Sequence, residues 1–440
     1  MAMVSAFVLR CPERCYRVIT LPNSCQLSKP IPLAQETDLK ILVINSGSSS
    51  LKYTLFDMTD EKVLFAGSFD RIGLSRSTHS YRGANGEETV KETEIRNHGQ
   101  ALDEMLATLT AGPVKSLEEL TAVAHRVGHG GKYHDAVLVN PDVMSEIRRM
   151  TPMIPLHHPA MIEEIEECSK RMPHAFHVAV FDTWFHWSIP DEAAIYGLPY
   201  RYFEKGYRRS GFHGNSHAYV AARAAEFLGK PLTELRIITC HLGNGASLCA
   251  VDRGKSIDTT LGMTAVEGLI MGTRSGDVDP GLLMVIMDEE SMSPGRMRDL
   301  LFKESGLLGI SGVSRDMREV EAAAAQGNAQ AALALDAFCY KAKRFVGSML
   351  MALGGCDALV FTGGIGSNSP TVRRKILAGA EDLGFVVDDE RNRSLHKAEG
   401  SSDAEISAAG SQVRILVIET FEELMMARQC RDVVEREQQR

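Results

Sequence analysis

Two arginines in this sequence stand among glycines. HRVGHGG (125–131) carries Arg126, and MGTRSGDVDPG (271–281) carries Arg274. A guanidinium presents a planar fork of N–H donors that holds a carboxylate or phosphoryl group in one orientation. With apolar or glycine neighbours, its charge is costly unless a ligand or an acid answers it. In FDTWFH (181–186), Asp182 ends the apolar run 178–181. A carboxylate at the C-terminal end of a strand is placed to hold Mg²⁺, usually through water, unless it only caps the next turn. In GFHGNSH (211–217), His213 lies between Phe212 and Gly214, where it would donate a hydrogen bond to a transferring phosphoryl oxygen.

Three small-residue turns follow apolar strands: Asn45 to Ser50, Gly243 to Ser247 and Gly363 to Gly366. Small side chains let backbone N–H groups approach phosphate oxygens closely. Each could be an ordinary tight turn, but three of them in comparable halves predict a nucleotide cleft. A P-loop is rejected, because Gly254-Lys255-Ser256 lacks the earlier glycine, whose place Cys249 takes. His125 and His129, like His213 and His217, lie four apart, the spacing of helical metal ligands. That metallohydrolase alternative is weakened by the missing HExxH and by glycines interrupting both pairs. Bound zinc with ester or amide hydrolysis would revive it.

The elements that must position these residues are legible in the hydrophobic pattern. ILVI (41–44) and LKYTLFD (51–57) flank the first turn as a β-hairpin, and IITC (237–240) and LCAVD (248–252) repeat the pattern around the second. This is an internal duplication, and it predicts two related α/β domains facing each other across a cleft. Apolar spacing predicts helices over 100–109, 159–171, 216–227, 322–353 and 421–437. ALVFT (358–362) reads as a buried strand running into the glycine turn, with the next helix starting after Ser369-Pro370, so that a helix N-terminus joins the anion site.

At 440 residues the chain exceeds the roughly 250 that one core supports. Its 44% apolar and 24% charged residues are those of a globular protein, and its net charge of −9 argues against nucleic acid as a partner. Nine cysteines without a CxxC pair read as reduced thiols in a cytoplasmic enzyme. No apolar stretch is long enough to span a bilayer. Residues 1–38, with Arg10, Arg14, Arg17 and Lys29, read as a poorly ordered N-terminal extension. An organelle transit peptide is the weaker alternative because of Glu13 and a weak amphipathic period.

From Leu39 to about Arg428 the chain resembles the acetate kinase family of the acetate and sugar kinase, heat-shock protein and actin superfamily. INSGSSSLK, HRVGHGG, PLHHPA, FDTWFH, GFHGNSH, HLGNGAS, EGLIMGTRSGDVDP, SRDMR, FTGGIG and EELMMAR occur in the family's order. The resemblance implies two duplicated actin-like, ribonuclease H-like domains with a cleft between them, one from 39–187 plus 421–440 and a nucleotide-binding one from 188–420. It implies reversible transfer of the ATP γ-phosphoryl group to acetate, giving acetyl phosphate and ADP, with Mg²⁺ (or Mn²⁺) and a homodimeric state. By matching motifs, Asn45, Ser48, Ser50 and Lys52 belong to the first phosphate-side hairpin, and His241, Gly243, Asn244 and Gly245 to the second. Asp316, Met317, Arg318, Gly364, Ile365, Gly366 and Asn368 border the nucleotide. Asn45, Asp182 and Glu422 serve the metal. Arg126, Arg274, His213, His241 and Asp182 surround the transferring group, and Arg126, Gly128, Leu156, Phe212 and Ala265 hold the carboxylate.

Four positions depart from the family pattern. Gly128 stands where Val is common and Ala265 where Pro is common, so the acyl pocket is expected to be wider and to admit propionate or butyrate, unless neighbours such as Trp184 or Met263 refill it. Ser367 replaces Glu beside the adenosine pocket, leaving GTP or pyrophosphate open as donors, and Phe421 replaces Asn before Glu422. A non-catalytic nucleotide-binding protein of the same fold is the alternative from another class.

Overall fold

The computed structural model describes residues 39–83, 85–155, 157–395 and 403–440. The extension 1–38 and Leu156 lie outside the described residues.

The first sheet contains β1 (Lys40–Ser46), β2 (Ser50–Asp57), β3 (Lys62–Asp70), β4 (Ser77–Gly83), β5 (Glu88–Thr93), β6 (Leu120–Val127), β7 (Val137–Leu138) and β8 (Phe176–Phe181), in the order 5-4-3-2-1-6-8-7. The second contains β9 (Arg236–Leu242), β10 (Ala246–Asp252), β11 (Lys255–Thr259), β12 (Ala358–Thr362), β13 (Asp403–Glu405) and β14 (Arg414–Ile418), in the order 11-10-9-12-14-13. The kernels 3-2-1-6-8 and 11-10-9-12-14 match in sense: three antiparallel strands joined to two parallel ones. The duplication read from the two hairpins therefore extends through five strands of each half.

Both sheets are covered on two faces, which is why their central strands are continuous apolar runs. In β1, Leu42 and Ile44 face one core while Ile41 and Val43 face another. The first is closed by α1 (His98–Thr110), and α2 (Pro141–Met150) and α3 (His158–Arg171) follow β6 and its glycine loop. The second sheet takes α4 (Gly214–Leu228) on one face, whose small residues Ala218, Ala221, Ala224 and Ala225 permit close packing. The helix α5 (Pro280–Glu289) buries none of its residues. Across the other face of this sheet run α6 (Met317–Ala325) and α7 (Ala329–Leu353). The single helix expected over 322–353 is thus two: Gly327 takes φ +91° and Asn328 caps α7 by accepting from Ala331 N–H at 3.0 Å.

A second difference concerns the glycines after β12. Gly363–Gly366 do not form a separate turn; they are the opening of a short helix, α8 (Gly363–Asn368), with α9 (Pro370–Leu377) following behind the Ser369 cap. The chain ends in α10 (Glu422–Gln438), whose Leu424, Ala427, Cys430 and Val434 return to the first sheet beside Ile41 and Val43. Helices α10 and α4 meet through the edge of Phe421 on Tyr219 and through Gln429 donating to Asn215 Oδ1 at 2.8 Å.

Candidate active site

Parallel register builds the centre of the site. Ile44 pairs with His125, and Arg126 pairs with Val180, so Asn45, Arg126 and Asp182 emerge side by side at the carboxyl ends of β1, β6 and β8. Arg126 Nε donates to Asp182 Oδ1 at 3.0 Å, Nη2 donates to Oδ2 at 2.8 Å, and Nη1 donates to Asn45 Oδ1 at 3.2 Å. Glu422, at the start of α10, brings a second carboxylate to within 3.8 Å of the same guanidinium. Burial works against the Arg126 charge, but Asp182 and Glu422 outweigh it and hold its pKa above the ordinary value. Burial, reinforced by Asp182, raises the Glu422 pKa despite Arg126. The carboxylate of Asp182 is therefore engaged by Arg126, while its backbone carbonyl accepts from Gly214 N–H at 2.8 Å.

That last bond joins two motifs. His213 sits in the left-handed region, with φ +58° and ψ +25°, immediately before α4. A Cβ on Gly214 would lie 2.4 Å from the Asp182 carbonyl oxygen, so only glycine allows the approach that turns the chain here. His213 Nδ1 shares a 2.8 Å hydrogen bond with Ser247 Oγ, and its ring stacks on His241 with centroids 4.3 Å apart. The same Ser247 hydroxyl meets His217 Nε2 at 2.8 Å, and His217 Nδ1 meets Thr239 Oγ1 at 2.7 Å. His241 Nδ1 is likewise engaged by Ser216 Oγ at 2.8 Å. Burial, with His241 and other positive neighbours, pushes His213 well below its usual pKa, and burial with Arg126 lowers His241 to about 4. Both rings are neutral at pH 7, with Nδ1 committed to a serine hydroxyl. His213 Nε2 and the Arg274 guanidinium both lie beside Gly245.

Arg274 differs from Arg126 in one respect. It donates to the Ala265 carbonyl at 3.0 Å, and among the described residues no carboxylate pairs with it. Desolvation, with Arg126 nearby, lowers it from 12.5 to about 10. An unanswered cation of this kind stabilises a bound anion.

These groups line one cavity of about 440 Å³, with Asn45, Ser50, Lys52, Arg126, Gly128, Asp182, Phe212, His213, His241, Gly243, Asn244, Gly245, Ala265, Arg274 and Glu422 on its walls. A second cavity of about 730 Å³ is bordered by Asp316, Met317, Arg318, Gly364, Ile365 and Asn368, and it shares Gly243 and Asn244 with the first. The site residues read from the sequence thus fall into two adjoining chambers, one charged and one at the N-terminal ends of α6 and α8. Three do not. Ser48 is exposed in its turn, where Ser46 and Gly47 reach the cavity instead. Gly366 is buried within α8, its carbonyl accepting from Arg373 at 2.8 Å. Leu156 lies outside the described residues.

Sequence reasoning assigned no role to His157, Ile154, Met161 or Leu261 in the first chamber, nor to Arg315 and Glu321 in the second. The motif PLHHPA held a signal for His157, whose pKa burial and the two arginines lower to about 4. The histidine pairs do not converge as metal ligands. His125 engages Glu164 and His177, whereas His129 engages Ser210. Among the described residues the one group of three His, Cys, Asp or Glu side chains close enough to share an ion is His125, Glu164 and Cys168, and the 2.9 and 3.1 Å separations within it are hydrogen-bond lengths. Tetrahedral ligands at zinc distances would stand at least about 3.3 Å apart.

Comparison with known proteins gives consistent results. The acetokinase family model matches residues 40–428. The chain is 47% identical over 403 residues to the acetate kinase of Caldicellulosiruptor saccharolyticus, covering 90% of this chain and 100% of that one. The crystal structure of Porphyromonas gingivalis acetate kinase superposes with a TM-score of 0.81 at 42% identity, and that of a propionate kinase from Francisella tularensis with 0.83 at 38%. Each covers 90% of this chain and all of the other. The two sheets and their helices are those of the actin-like α/β fold.

Proposed function

The chain belongs to the acetokinase family, a family of kinase enzymes that act on acetate and ATP, and from that premise we propose that it transfers the γ-phosphoryl group of ATP directly to acetate, reversibly, in the charged chamber. The observation that carries this reading is the Arg274 guanidinium, desolvated beside an apolar wall without an acidic partner. A short carboxylate supplies what the chamber lacks: an anionic head for Arg274 and Arg126, and a small alkyl tail for Phe212, Ile154 and Ala265.

Acetate needs no general base, since its oxygen is ionised at neutral pH. The protein's task is to align nucleophile and leaving oxygen and to spread stabilising charge over the equatorial oxygens. The adenosine moiety takes the 730 Å³ chamber, and the phosphates run past the shared Gly243 and Asn244 toward the arginines. Neutral His213 and His241 bring polar ring atoms to the chamber without adding competing positive charges. Asn45, Asp182 and Glu422 offer oxygen ligands on the wall of one chamber, and burial, with Asp182 nearby, raises the Glu422 pKa, so a cation there would be answered by a donor set suited to Mg²⁺. When bound, Mg²⁺ would neutralise phosphate charge there.

In this reading the chain divides into 39–187 with 421–440 and 188–420, a division supported by the presence of two sheets and by α10 packing on the first. Closure of the halves would exclude water. A homodimer is part of this reading: Leu282, Met284 and Val285 of α5 are 48%, 66% and 50% exposed, an apolar helix suited to a second copy. So is a cytoplasmic location, supported by the free thiols Cys168, Cys240, Cys249, Cys339, Cys356 and Cys430. Among the described residues no helix is long and apolar enough to cross a membrane.

A coupled assay of ADP release with and without acetate tests the reading. Acetate-dependent turnover is expected; ADP release indifferent to acetate would favour a nucleotide-binding protein of the same fold.

A further inference from the structure

The chamber's apolar end determines which carboxylates fit, and Gly128 lies in its wall. Glycine there suggests empty space, but the space is taken. A Cβ built on Gly128 would come within 2.8 Å of Ile154 Cδ1, and the next neighbour, His158 Nε2, is at 3.5 Å. We propose that Ile154 stands in for the absent side chain at position 128 and sets the acyl chain length this enzyme accepts. This rests on the carboxylate kinase reading and deepens it.

Ile154 is held firmly enough to act as a gauge. It follows the helical turn Thr151–Met153 and is 4% exposed. His158, four residues on, anchors the segment through both ring nitrogens. The Ile147 carbonyl can only accept, so His158 Nδ1 carries the proton and donates to it at 3.1 Å. Nε2 is then an acceptor for His129 N–H at 3.1 Å, just beyond Gly128 on the loop after β6. One neutral ring, its pKa lowered by burial to about 4, thus ties α3 to the loop that carries Gly128. The Ile154 side chain meanwhile shares the chamber wall with Phe212, Leu261 and Ala265, and belongs to a cluster whose every other buried member lies at Phe212 or later in the chain. A residue that precedes β8 therefore closes a pocket whose remaining apolar wall is Met161 with Phe212, Leu261 and Ala265.

The geometry predicts a reciprocal relation between positions 128 and 154. Removing Cδ1 opens the pocket next to Gly128, whereas adding Cβ at 128 drives against Cδ1. One extra methylene in an apolar pocket is discriminated by roughly 10- to 200-fold.

The test measures kcat/KM for acetate, propionate and butyrate in the full chain and in Ile154→Val, Ile154→Ala, Gly128→Ala and the Gly128→Ala/Ile154→Val double variant. Apparent Kd values for the three acids are measured in parallel by ligand-induced thermal stabilisation. The expected result is a propionate-to-acetate ratio that rises several-fold in Ile154→Val and about tenfold or more in Ile154→Ala. Gly128→Ala should depress activity with every acid, and the double variant should recover much of that loss. Unchanged chain-length ratios in a folded Ile154→Val would overturn the proposal, as would additive effects of the two sites in the double variant. Failure of the kinase reading looks different: the parent chain would show no carboxylate-dependent turnover, while the thermal measurements would still show whether residue 154 orders the acids by length.

Discussion

Replacing Arg274 by Met should make the protein more stable and nearly inactive. The guanidinium stands against Met271 and the Ala265 carbonyl without an acidic partner, and desolvation lowers its pKa from 12.5 to about 10. At about 1.4 kcal/mol per pK unit, the charge costs the ligand-free fold at most roughly 3 kcal/mol, and partial exposure at the cavity wall reduces this to about 1–2 kcal/mol. A depressed arginine pKa penalises the folded state at every pH below about 10, so the whole gain is present at neutral pH. A flexible apolar Met fills the same slot without that cost. Thermal unfolding at pH 7 should show the variant melting higher, by something on the order of 2 °C. Saturating ATP and acetate should then reverse the order, because ligand at a hundred times Kd adds about 2.7 kcal/mol to the parent alone. Turnover should fall by about 10² or more, as on loss of other groups that stabilise transition-state charge. A variant that melts lower and turns over normally would show that Arg274 is a structural residue and refute the reasoning.

Three further outcomes are expected. Ser247→Ala removes the hydroxyl shared by His213 and His217, so kcat should drop about tenfold with little change in the acetate KM, and Ser247→Thr should restore part of it; equal loss in both variants would argue against the hydroxyl. Gly272→Ala would place its Cβ 2.0 Å from Asn244 Oδ1, in the wall common to both chambers, so the ATP KM should rise several-fold while the fold survives; an unchanged KM would remove Asn244 from the nucleotide path. His157, His158, His177, His186 and His241 all have folded pKa values near 4, below their unfolded value of about 6.5. Each contributes stability that is complete above pH 6.5 and is lost as pH falls toward 4, at up to about 1.4 kcal/mol per unit. The melting temperature should therefore decline steeply from pH 6.5 to 5, and a flat profile over that range would contradict the buried neutral rings.

Much of this architecture is legible in the sequence because alternation and turn chemistry act locally. The hairpins 41–44/51–57 and 237–240/248–252 carry their apolar runs and glycine turns openly, and the strand 358–362 is a continuous apolar run. The break at Gln326-Gly327-Asn328 is less visible, since alanines maintain helical spacing on both sides of one glycine. Arg126, Asp182 and His213 stand out as charges or donors among glycines and apolar residues. Ile154 does not: an isoleucine beside a proline carries no chemical signature, and its importance arises only when the chain after α2 folds back over Gly128. The pairing of Arg126 with Asp182, and the solitude of Arg274, likewise depend on strand register and loop packing, which residue spacing does not encode.

The most direct test of phosphoryl transfer to acetate follows phosphorus itself. Incubating the purified protein with ATP, Mg²⁺ and acetate under ³¹P NMR should show an acyl phosphate resonance growing in step with ADP, one for one, and vanishing when acetate is withheld. Release of inorganic phosphate with no acyl phosphate, at a rate indifferent to acetate, would contradict the account.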